Sequence, residues 1–211
     1  MRIIIIAGSA LLAWFLPSDS SSAQTYPRTE ITTQVDELFA EWDGATAPGA
    51  VVGIFMDGRI IYSKGYGLAN LDYDIPITPQ SVLRIGSISK QFVAMCIAIL
   101  ADQGKLSLDD DIRTHIPEMP DYGNQITIRH LLHHTSGIRE YLTLVNLIGK
   151  PEGSVFGYTT RELVELLSRQ QNLNFEPGSQ FSYTNSGYFL LAEIITRVSG
   201  CLLYTSDAAD E

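Results

Sequence analysis

The sequence predicts a mixed fold of the α/β (α+β) class, in which an antiparallel strand pair precedes a mostly helical body. Asp57-Gly58 separates two apolar runs, and this dipeptide is typical of the turn in a β-hairpin. From about residue 85 to residue 200, most of the chain instead carries helical patterns. The chain has 211 residues, 45% of them hydrophobic and 18% charged, which is enough apolar material for a buried core.

The first part of the chain contains the predicted strands. A helix is expected to start near Thr29, because apolar residues recur there at helical spacing: Ile31, Val35, Leu38, Phe39 and Trp42. The segment AVVGIFMDGRIIYSKGYG then forms the hairpin. Because an isolated hairpin is only marginally stable, we expect its strands to belong to a larger sheet. Pro76 and Pro79 exclude a helix from the segment that follows.

Four segments of the second part are predicted to be helices. The first is apolar and runs from about Ser89 to Asp102, and the others are TIRHLLHHTSG, TTRELVELLSRQ and SGYFLLAEIITRVSG. The residues that should cap them are Gly104, Gly137 and Gly200 at C-termini, and Thr159 or Thr160 at an N-terminus.

The N-terminus is typical of a secretory signal peptide covering residues 1–23. Met1-Arg2 gives a positive start, residues 3–16 are almost entirely apolar, and small residues precede a cleavage position after Ala23. The alternative is a membrane anchor, but the apolar run is shorter than the roughly 18 to 20 residues that span a bilayer. We therefore expect a secreted or periplasmic protein without stable membrane insertion after cleavage.

The last eleven residues, CLLYTSDAADE, follow Gly200 abruptly and resemble the translation of a transposase-based sequencing adapter. The alternative is a genuine C-terminal peptide. With the tail set aside, residues 24–200 are expected to be the N-terminal part of one larger domain. About 24–84 would form its sheet portion and about 85–200 its mostly helical portion, with the C-terminal sheet strands missing.

The charge balance excludes one class of partner. The chain has 14 Lys and Arg against 24 Asp and Glu, for a net charge of −10. Binding to nucleic acid needs a basic surface that neutralises phosphates, so we expect no nucleic-acid partner. The charge does not restrict small-molecule substrates.

The stretch RIGSISKQF is the first candidate for chemistry. Ser87 and Lys90 are three residues apart, so on a helix they share one face. A serine hydroxyl becomes a nucleophile when a base takes its proton, and a lysine is able to be that base. The alternative is a capping serine beside a solvated lysine, since chance yields roughly one Ser-x-x-Lys pair in a chain this long.

A second candidate is Tyr183-Thr184-Asn185, in a loop just before a predicted helix. A phenol relays protons when nearby cations lower its pKa, and an amide bonds a substrate carbonyl or a lysine. The alternative is a buried tyrosine, with Asn185 or Ser186 as the cap of the next helix.

Two patterns in the sequence partly resemble metal sites. His130 and His134 are four apart on a predicted helix, which is a zinc-binding spacing, but no glutamate lies between them and no third ligand is apparent. A structural role near the loop before Gly137 is therefore preferred. Asp109, Asp110 and Asp111 lack the spacing of a calcium loop, so a charged run that opens a short helix is preferred. We expect no metal ion and no cofactor.

Three long segments together resemble one family. SVLRIGSISKQFVAMCIAIL, ITIRHLLHHTSGI and FEPGSQFSYTNSGYFLLAEIITRVSG are similar to the serine β-lactamase and D-alanyl-D-alanine peptidase superfamily. The similarity is to its class C and esterase-like branch, in which the second motif is Tyr-x-Asn, and it covers about Ile31 to Gly200. The resemblance implies a β-lactamase/transpeptidase-like fold: an antiparallel sheet flanked by helices, with a mostly helical domain beside it.

The resemblance also implies roles for individual residues. Ser87 matches the acylated nucleophile, Lys90 its activating partner and Tyr183 a second proton-transfer residue. Asn185 matches the residue that contacts the substrate amide and the lysine. The backbone N–H of Ser87 would be one oxyanion donor. Whether Lys90 or Tyr183 takes the proton stays open.

The family's third motif, Lys- or His-x-Gly, does not occur, because no Lys or His follows Asn185. We expect it beyond Gly200, so this chain would be inactive as a fragment. The predicted function of the complete protein is a β-lactamase-related serine hydrolase that acts on a lactam, a D-Ala peptide or peptidoglycan-like substrate, or an ester. The alternative is a penicillin-interacting or peptidoglycan-sensing module without turnover.

Overall fold

The computed structural model describes residues 5–7, 10–12, 28–44, 46–148 and 158–201. The chain divides into two compact units, Met1–Ile85 and Gly86–Glu211. Of the predicted signal peptide, only the backbone of strands β1 (Ile5–Ala7) and β2 (Ala10–Leu12) is described, and these pair antiparallel. Residues 202–211 of the predicted adapter-derived tail lie outside the described part. No helix among the described residues is long and apolar enough to cross a membrane.

The first unit contains the predicted helix and hairpin. Helix α1 (Arg28–Leu38) is followed by a 3₁₀ turn at Ala40–Trp42. Strand β3 (Ala50–Met56) pairs antiparallel with β4 (Arg59–Tyr66). Asp57 and Gly58 both have positive φ angles, 50° and 73°, as a tight hairpin turn requires. The hairpin prediction is therefore confirmed.

The larger sheet is not found among the described residues, where each sheet has two strands. Strand β5 (Leu68–Asn70) pairs with β6 (Ile75–Pro76), and its Leu68 also forms an isolated bridge with Pro48. The hairpin instead buries Val52, Ile54 and Tyr66 with Phe39, and α1 adds Ile31 and Val35 to this cluster. Burial of this apolar surface stabilises the two strands, as pairing with further strands would in a larger sheet.

The second unit is mostly helical, as predicted. It begins with a 3₁₀ turn at Gly86–Ile88, contains another at Ile112–Thr114, and has five helices in its described part. These are α2 (Ser89–Asp102), α3 (Ile128–Leu132), α4 (Tyr141–Leu147), α5 (Thr160–Ser168) and α6 (Asn185–Ser199). Helix α4 was not predicted. The core is built around α6 and α2, with these residues buried: Val93, Ile97, Leu100, Leu190, Leu191 and Ile194.

Three predicted helix caps are confirmed. Gly104 follows α2 with a φ of +67°, and Gly200 ends α6 in the left-handed conformation. The Thr159 side chain accepts the N–H of Glu162 while the Glu162 carboxylate accepts the N–H of Thr159, which is a capping box.

The predicted C-terminal end of the TIRHLLHHTSG helix was wrong. Helix α3 stops at Leu132 and does not continue to Gly137, because His134 adopts a positive φ of 57° and turns the chain away. Gly137 has a φ of +73°, and a Cβ there would lie 2.1 Å from the carbonyl oxygen of Phe175. Gly137 is thus required by a close approach of two backbone segments.

Candidate active site

Ser87 lies in the 3₁₀ turn that leads into α2. The turn begins at Gly86, which has a φ of +53°, and the Ser89 hydroxyl donates to the Gly86 carbonyl at 2.7 Å. The N-cap of α2 is Ile88, and it makes no side-chain capping bond. The capping alternative for Ser87 is therefore wrong. Its side chain is exposed and free of any capping role.

Lys90 occupies the first turn of α2, one face of which is buried in the core. Its ammonium donates to Ser87 Oγ at 3.2 Å and to Asn185 Oδ1 at 2.8 Å. The same nitrogen lies over two aromatic rings, 4.9 Å from the centroid of Tyr183 and 5.6 Å from that of Tyr188. These contacts hold the lysine beside the serine hydroxyl.

Tyr183 and Asn185 flank the N-cap of α6. That cap is Thr184, whose side chain accepts the N–H of Ser186, so neither Asn185 nor Ser186 is the cap. The Tyr183 hydroxyl lies 2.7 Å from Ser87 Oγ and 3.5 Å from Asn185 Oδ1. The structure thus brings together the four residues singled out in the sequence, although 96 positions separate Ser87 from Tyr183.

The electrostatics of this cluster favour proton transfer. Burial raises the pKa of the Tyr183 phenol, but hydrogen bonds with Lys90 and Ser87 and the charge of Lys90 outweigh it. The pKa of Tyr183 is therefore below its usual range. The carboxylate of Glu140 acts in the opposite direction. A phenol with a lowered pKa gives up and takes back a proton more readily near neutral pH.

His134 contacts the site residues, which the sequence did not predict. Its ring lies against Tyr183 at 4.6 Å and Tyr188 at 5.1 Å between centroids. Its Nδ1 accepts the N–H of Thr184, and its carbonyl accepts the N–H of Ser182. Burial first, and then the Lys90 charge, lower the pKa of His134, which keeps Nδ1 an acceptor. The available signal was the HHTSG stretch, for which a structural role near the loop before Gly137 was preferred.

Glu140 is the second residue that sequence reasoning missed. Its carboxylate accepts from the Thr184 hydroxyl at 2.7 Å and from the backbone N–H of Asn185. It also lies 3.4 Å from Asn185 Nδ2. The sequence offered little to find it by, because Glu140 precedes a helix that was not predicted.

The histidine pair does not form a metal site. His134 lies beyond the end of α3, and its Nδ1 already accepts the N–H of Thr184. His130 Nδ1 accepts the N–H of Thr127. In the described part of the chain, no three His, Cys, Asp or Glu side chains are grouped to hold a metal.

The acidic run also has local partners. Asp109 pairs with Arg129, Asp110 with His115, and Asp111 with Arg113. Asp111 caps the 3₁₀ turn that follows, as expected for a charged run that opens a short helix.

Comparison with known proteins identifies a family and several relatives. The family model described as Beta-lactamase matches residues 35–206. The chain is 32% identical over 183 residues to the D-aminopeptidase of Gluconobacter oxydans (strain 621H), covering 87% of this chain and 32% of that protein. It is 29% identical to the human Serine beta-lactamase-like protein LACTB, mitochondrial, covering 81% of this chain and 43% of that protein.

Solved structures agree on the fold. EstCE1, described as a hydrolase with promiscuous acyltransferase activity, matches with a TM-score of 0.67 at 27% identity, over 82% of this chain and 47% of that one. The chain therefore spans less than half the length of each of these three relatives. Because the family model matches most of its residues, the chain belongs to the beta-lactamase family.

Proposed function

We propose that the protein is a serine hydrolase in which Ser87 forms an acyl-enzyme with an amide, lactam or ester substrate. The observation that carries the proposal is the position of Ser87 Oγ within hydrogen-bond distance of both the Lys90 ammonium and the Tyr183 hydroxyl. A serine flanked by two groups that exchange protons is the arrangement that nucleophilic catalysis needs.

The reaction has two halves. Ser87 Oγ attacks the substrate carbonyl carbon and gives its proton to the deprotonated form of one neighbour, either the Lys90 amine or the Tyr183 phenolate. The bond from that carbon to the leaving nitrogen or oxygen then breaks, and the leaving group takes up the proton. Water next attacks the Ser87 ester, releases the acid and restores the hydroxyl.

Asn185 has two tasks in this proposal. Its carboxamide oxygen holds the Lys90 ammonium beside Ser87, at 2.8 Å. It also offers the substrate amide a hydrogen-bonding partner. Both tasks depend on which end of the carboxamide faces the lysine.

The relatives support an acyl-transfer reaction without choosing the substrate. One is named a D-aminopeptidase, and another is described as a hydrolase with promiscuous acyltransferase activity. Both descriptions fit an acyl group held on a serine, so the proposal keeps amide, lactam and ester substrates together. We also propose a secreted or periplasmic location, from the pattern of residues 1–23.

The test is covalent labelling of Ser87. The product of the complete gene and the 211-residue chain are each incubated with a fluorescent penicillin and with a fluorophosphonate, and the mass of the Ser87 peptide is read. An adduct on Ser87 of the complete product is expected, and Ser87→Ala should abolish it. Absence of any adduct on the complete product would falsify the proposal.

Turnover separates the enzyme from a binding module. A penicillin adduct that persists, with no hydrolysis of lactam, ester or D-Ala-D-Ala substrates, favours the peptidoglycan-sensing alternative. Turnover of one of these substrate classes identifies the class of hydrolase. An adduct on the complete product but not on the 211-residue chain supports the expectation that this chain alone is inactive.

A further inference from the structure

We infer that Glu140 is a positioning residue that fixes the orientation of the Asn185 carboxamide and thereby directs the Lys90 ammonium at Ser87. The inference rests on the proposed function. Glu140 contacts none of Ser87, Lys90 or Tyr183 through a hydrogen bond in the structure, so it acts through Asn185.

A carboxamide has two ends that are alike in shape and opposite in hydrogen bonding. An ionised carboxylate only accepts, so the Glu140 oxygens attract the NH₂ end of Asn185, and Nδ2 lies 3.4 Å from Oε1. The carbonyl end then faces Lys90, with Oδ1 2.8 Å from Nζ. With the amide reversed, two donors would face each other at Lys90.

Glu140 is held on the backbone side as well. The backbone N–H of Asn185 and the hydroxyl of Thr184 both donate to Oε2. The carboxylate therefore binds the first turn of α6 as well as the carboxamide that leaves it. Charge-assisted bonds of this kind are stronger than those between neutral groups.

Ser186 fixes the chain on both sides of Glu140. Its hydroxyl donates to the carbonyl of Arg139 at 2.7 Å and accepts the N–H of Tyr141 at 2.8 Å. Ser186 is 0% exposed. A buried side chain with both bonds satisfied gives Glu140 one position relative to α6.

The charge of Glu140 also reaches Tyr183, whose pKa it raises against the effect of Lys90. The other polar and titratable groups that face Tyr183 are Ser87, Lys90, His134, Asn185 and Tyr188. Removal of the carboxylate therefore lowers the pKa of Tyr183 further, which a helix cap remote from the site would not do.

The experiment compares Glu140→Gln with Glu140→Asp in the product of the complete gene. Glu162→Gln is the matched control, because the Glu162 carboxylate also accepts from a threonine hydroxyl and a backbone N–H, at the start of α5. Two quantities are measured for each variant: the rate of Ser87 acylation by a fluorophosphonate, and the pKa of Tyr183. The pKa is taken from phenolate absorbance against the same variant carrying Tyr183→Phe.

Glu140→Gln is expected to acylate about 10- to 100-fold more slowly, with Tyr183 titrating at lower pH than in the wild type. Glu140→Asp keeps the charge, so its acylation rate should lie between those of the wild type and Glu140→Gln. Glu162→Gln should match the wild type in both measurements. If Glu140→Gln acylates at the wild-type rate, if Glu162→Gln slows acylation equally, or if the Tyr183 pKa does not move, the inference is overturned.

Circular dichroism checks that each variant folds. If Glu140→Gln does not fold, Glu140→Asp decides, and a wild-type rate in that variant overturns the inference. If the wild-type protein forms no adduct, the proposed function fails, while the titration of Tyr183 still tests the role of Glu140.

Discussion

Each unit of the chain contains a cluster of lysine, tyrosine and carboxylate side chains. The two clusters differ in whether the carboxylate bonds the lysine directly. In the first unit, Asp36 of α1 accepts directly from Lys64, Tyr62 and Tyr66 of β4, at 2.8, 2.9 and 2.7 Å. All three side chains donate to this carboxylate, which joins the helix to the hairpin, and Lys64 also lies 3.6 Å from Asp43. This cluster is a structural tie.

In the second unit, the carboxylate is kept one step away from the lysine. Glu140 binds Thr184 and Asn185, and the Asn185 carboxamide stands between it and Lys90. The Lys90 ammonium also donates a second hydrogen bond, to Ser87 Oγ at 3.2 Å. The cluster therefore holds a lysine without neutralising it through a direct ion pair.

The tyrosine pKa values record this difference. Burial first, and then the bond to Tyr62, raise the pKa of Tyr66, which keeps that phenol protonated as a donor. At Tyr183 the bonds to Lys90 and Ser87 outweigh burial, and the pKa is lowered. The same residue types thus raise the pKa of a tyrosine where the carboxylate bonds the lysine directly, and lower it where an amide separates the two.

The largest difference in acylation rate is expected between variants of the two lysines. In the complete gene product, Lys90→Met removes the cation beside Ser87 and should slow fluorophosphonate acylation about 10³-fold. Lys64→Met removes a cation of the same type from the tie and should leave that rate unchanged. The comparison breaks if both variants slow acylation alike or if neither does.

The two tyrosines sharpen the comparison further. Tyr183→Phe removes the hydroxyl 2.7 Å from Ser87 Oγ and should slow acylation about 10²-fold. Tyr66→Phe should acylate normally but lose about 1 kcal/mol of unfolding free energy, because its hydroxyl bonds Asp36. Acylation rates and urea unfolding of both variants measure the difference. A slow Tyr66→Phe variant would contradict the assignment of that cluster to structure.

A smaller effect is expected at His134. His134→Phe keeps a ring against Tyr183 but removes the acceptor for the Thr184 N–H, which should cost about 1 kcal/mol of stability at neutral pH. Because the pKa of His134 is lowered in the folded state, the unfolded state binds its proton first as pH falls below 6.5. Wild-type stability should therefore fall with acidity in this range more steeply than that of the variant. Urea unfolding at successive pH values tests this, and parallel curves would refute it.

The smallest effect is confined to strong acid. Hydrogen bonds from Lys64, Tyr66 and Tyr62 hold the pKa of Asp36 at about 2, against 3.8 for a free side chain. The sign follows from a lowered pKa: the contribution of Asp36 to stability is present above pH 3.8 and is lost as pH falls through about 2. Asp36→Asn should lack this part of the acid dependence, while Asp57→Asn in the hairpin turn should keep it. Acid titration of unfolding distinguishes the two variants.

Local structure followed from the sequence where a short segment decides it. The Asp57-Gly58 turn, the capping box at Thr159 and the helix end at Gly200 each depend on a few neighbouring residues. The α3 boundary failed because a histidine with positive φ ended the helix, and nothing in a helical pattern announces that conformation. Helix α4 was missed for a related reason, since its N-cap is a glutamate, which is not a favoured capping residue.

By itself the sequence determined the residue types of the candidate site and the order of its helices. Two short motifs singled out Ser87, Lys90, Tyr183 and Asn185, and the resemblance of the long flanking segments to one family decided between these residues as a site and their structural alternatives. Only the tertiary structure decided what supports them. Glu140 and His134 reach Asn185 and Tyr183 across about 45 to 50 positions of chain, through packing of the 134–141 segment against the start of α6. Contacts between distant segments depend on how the core folds, and no local pattern records them.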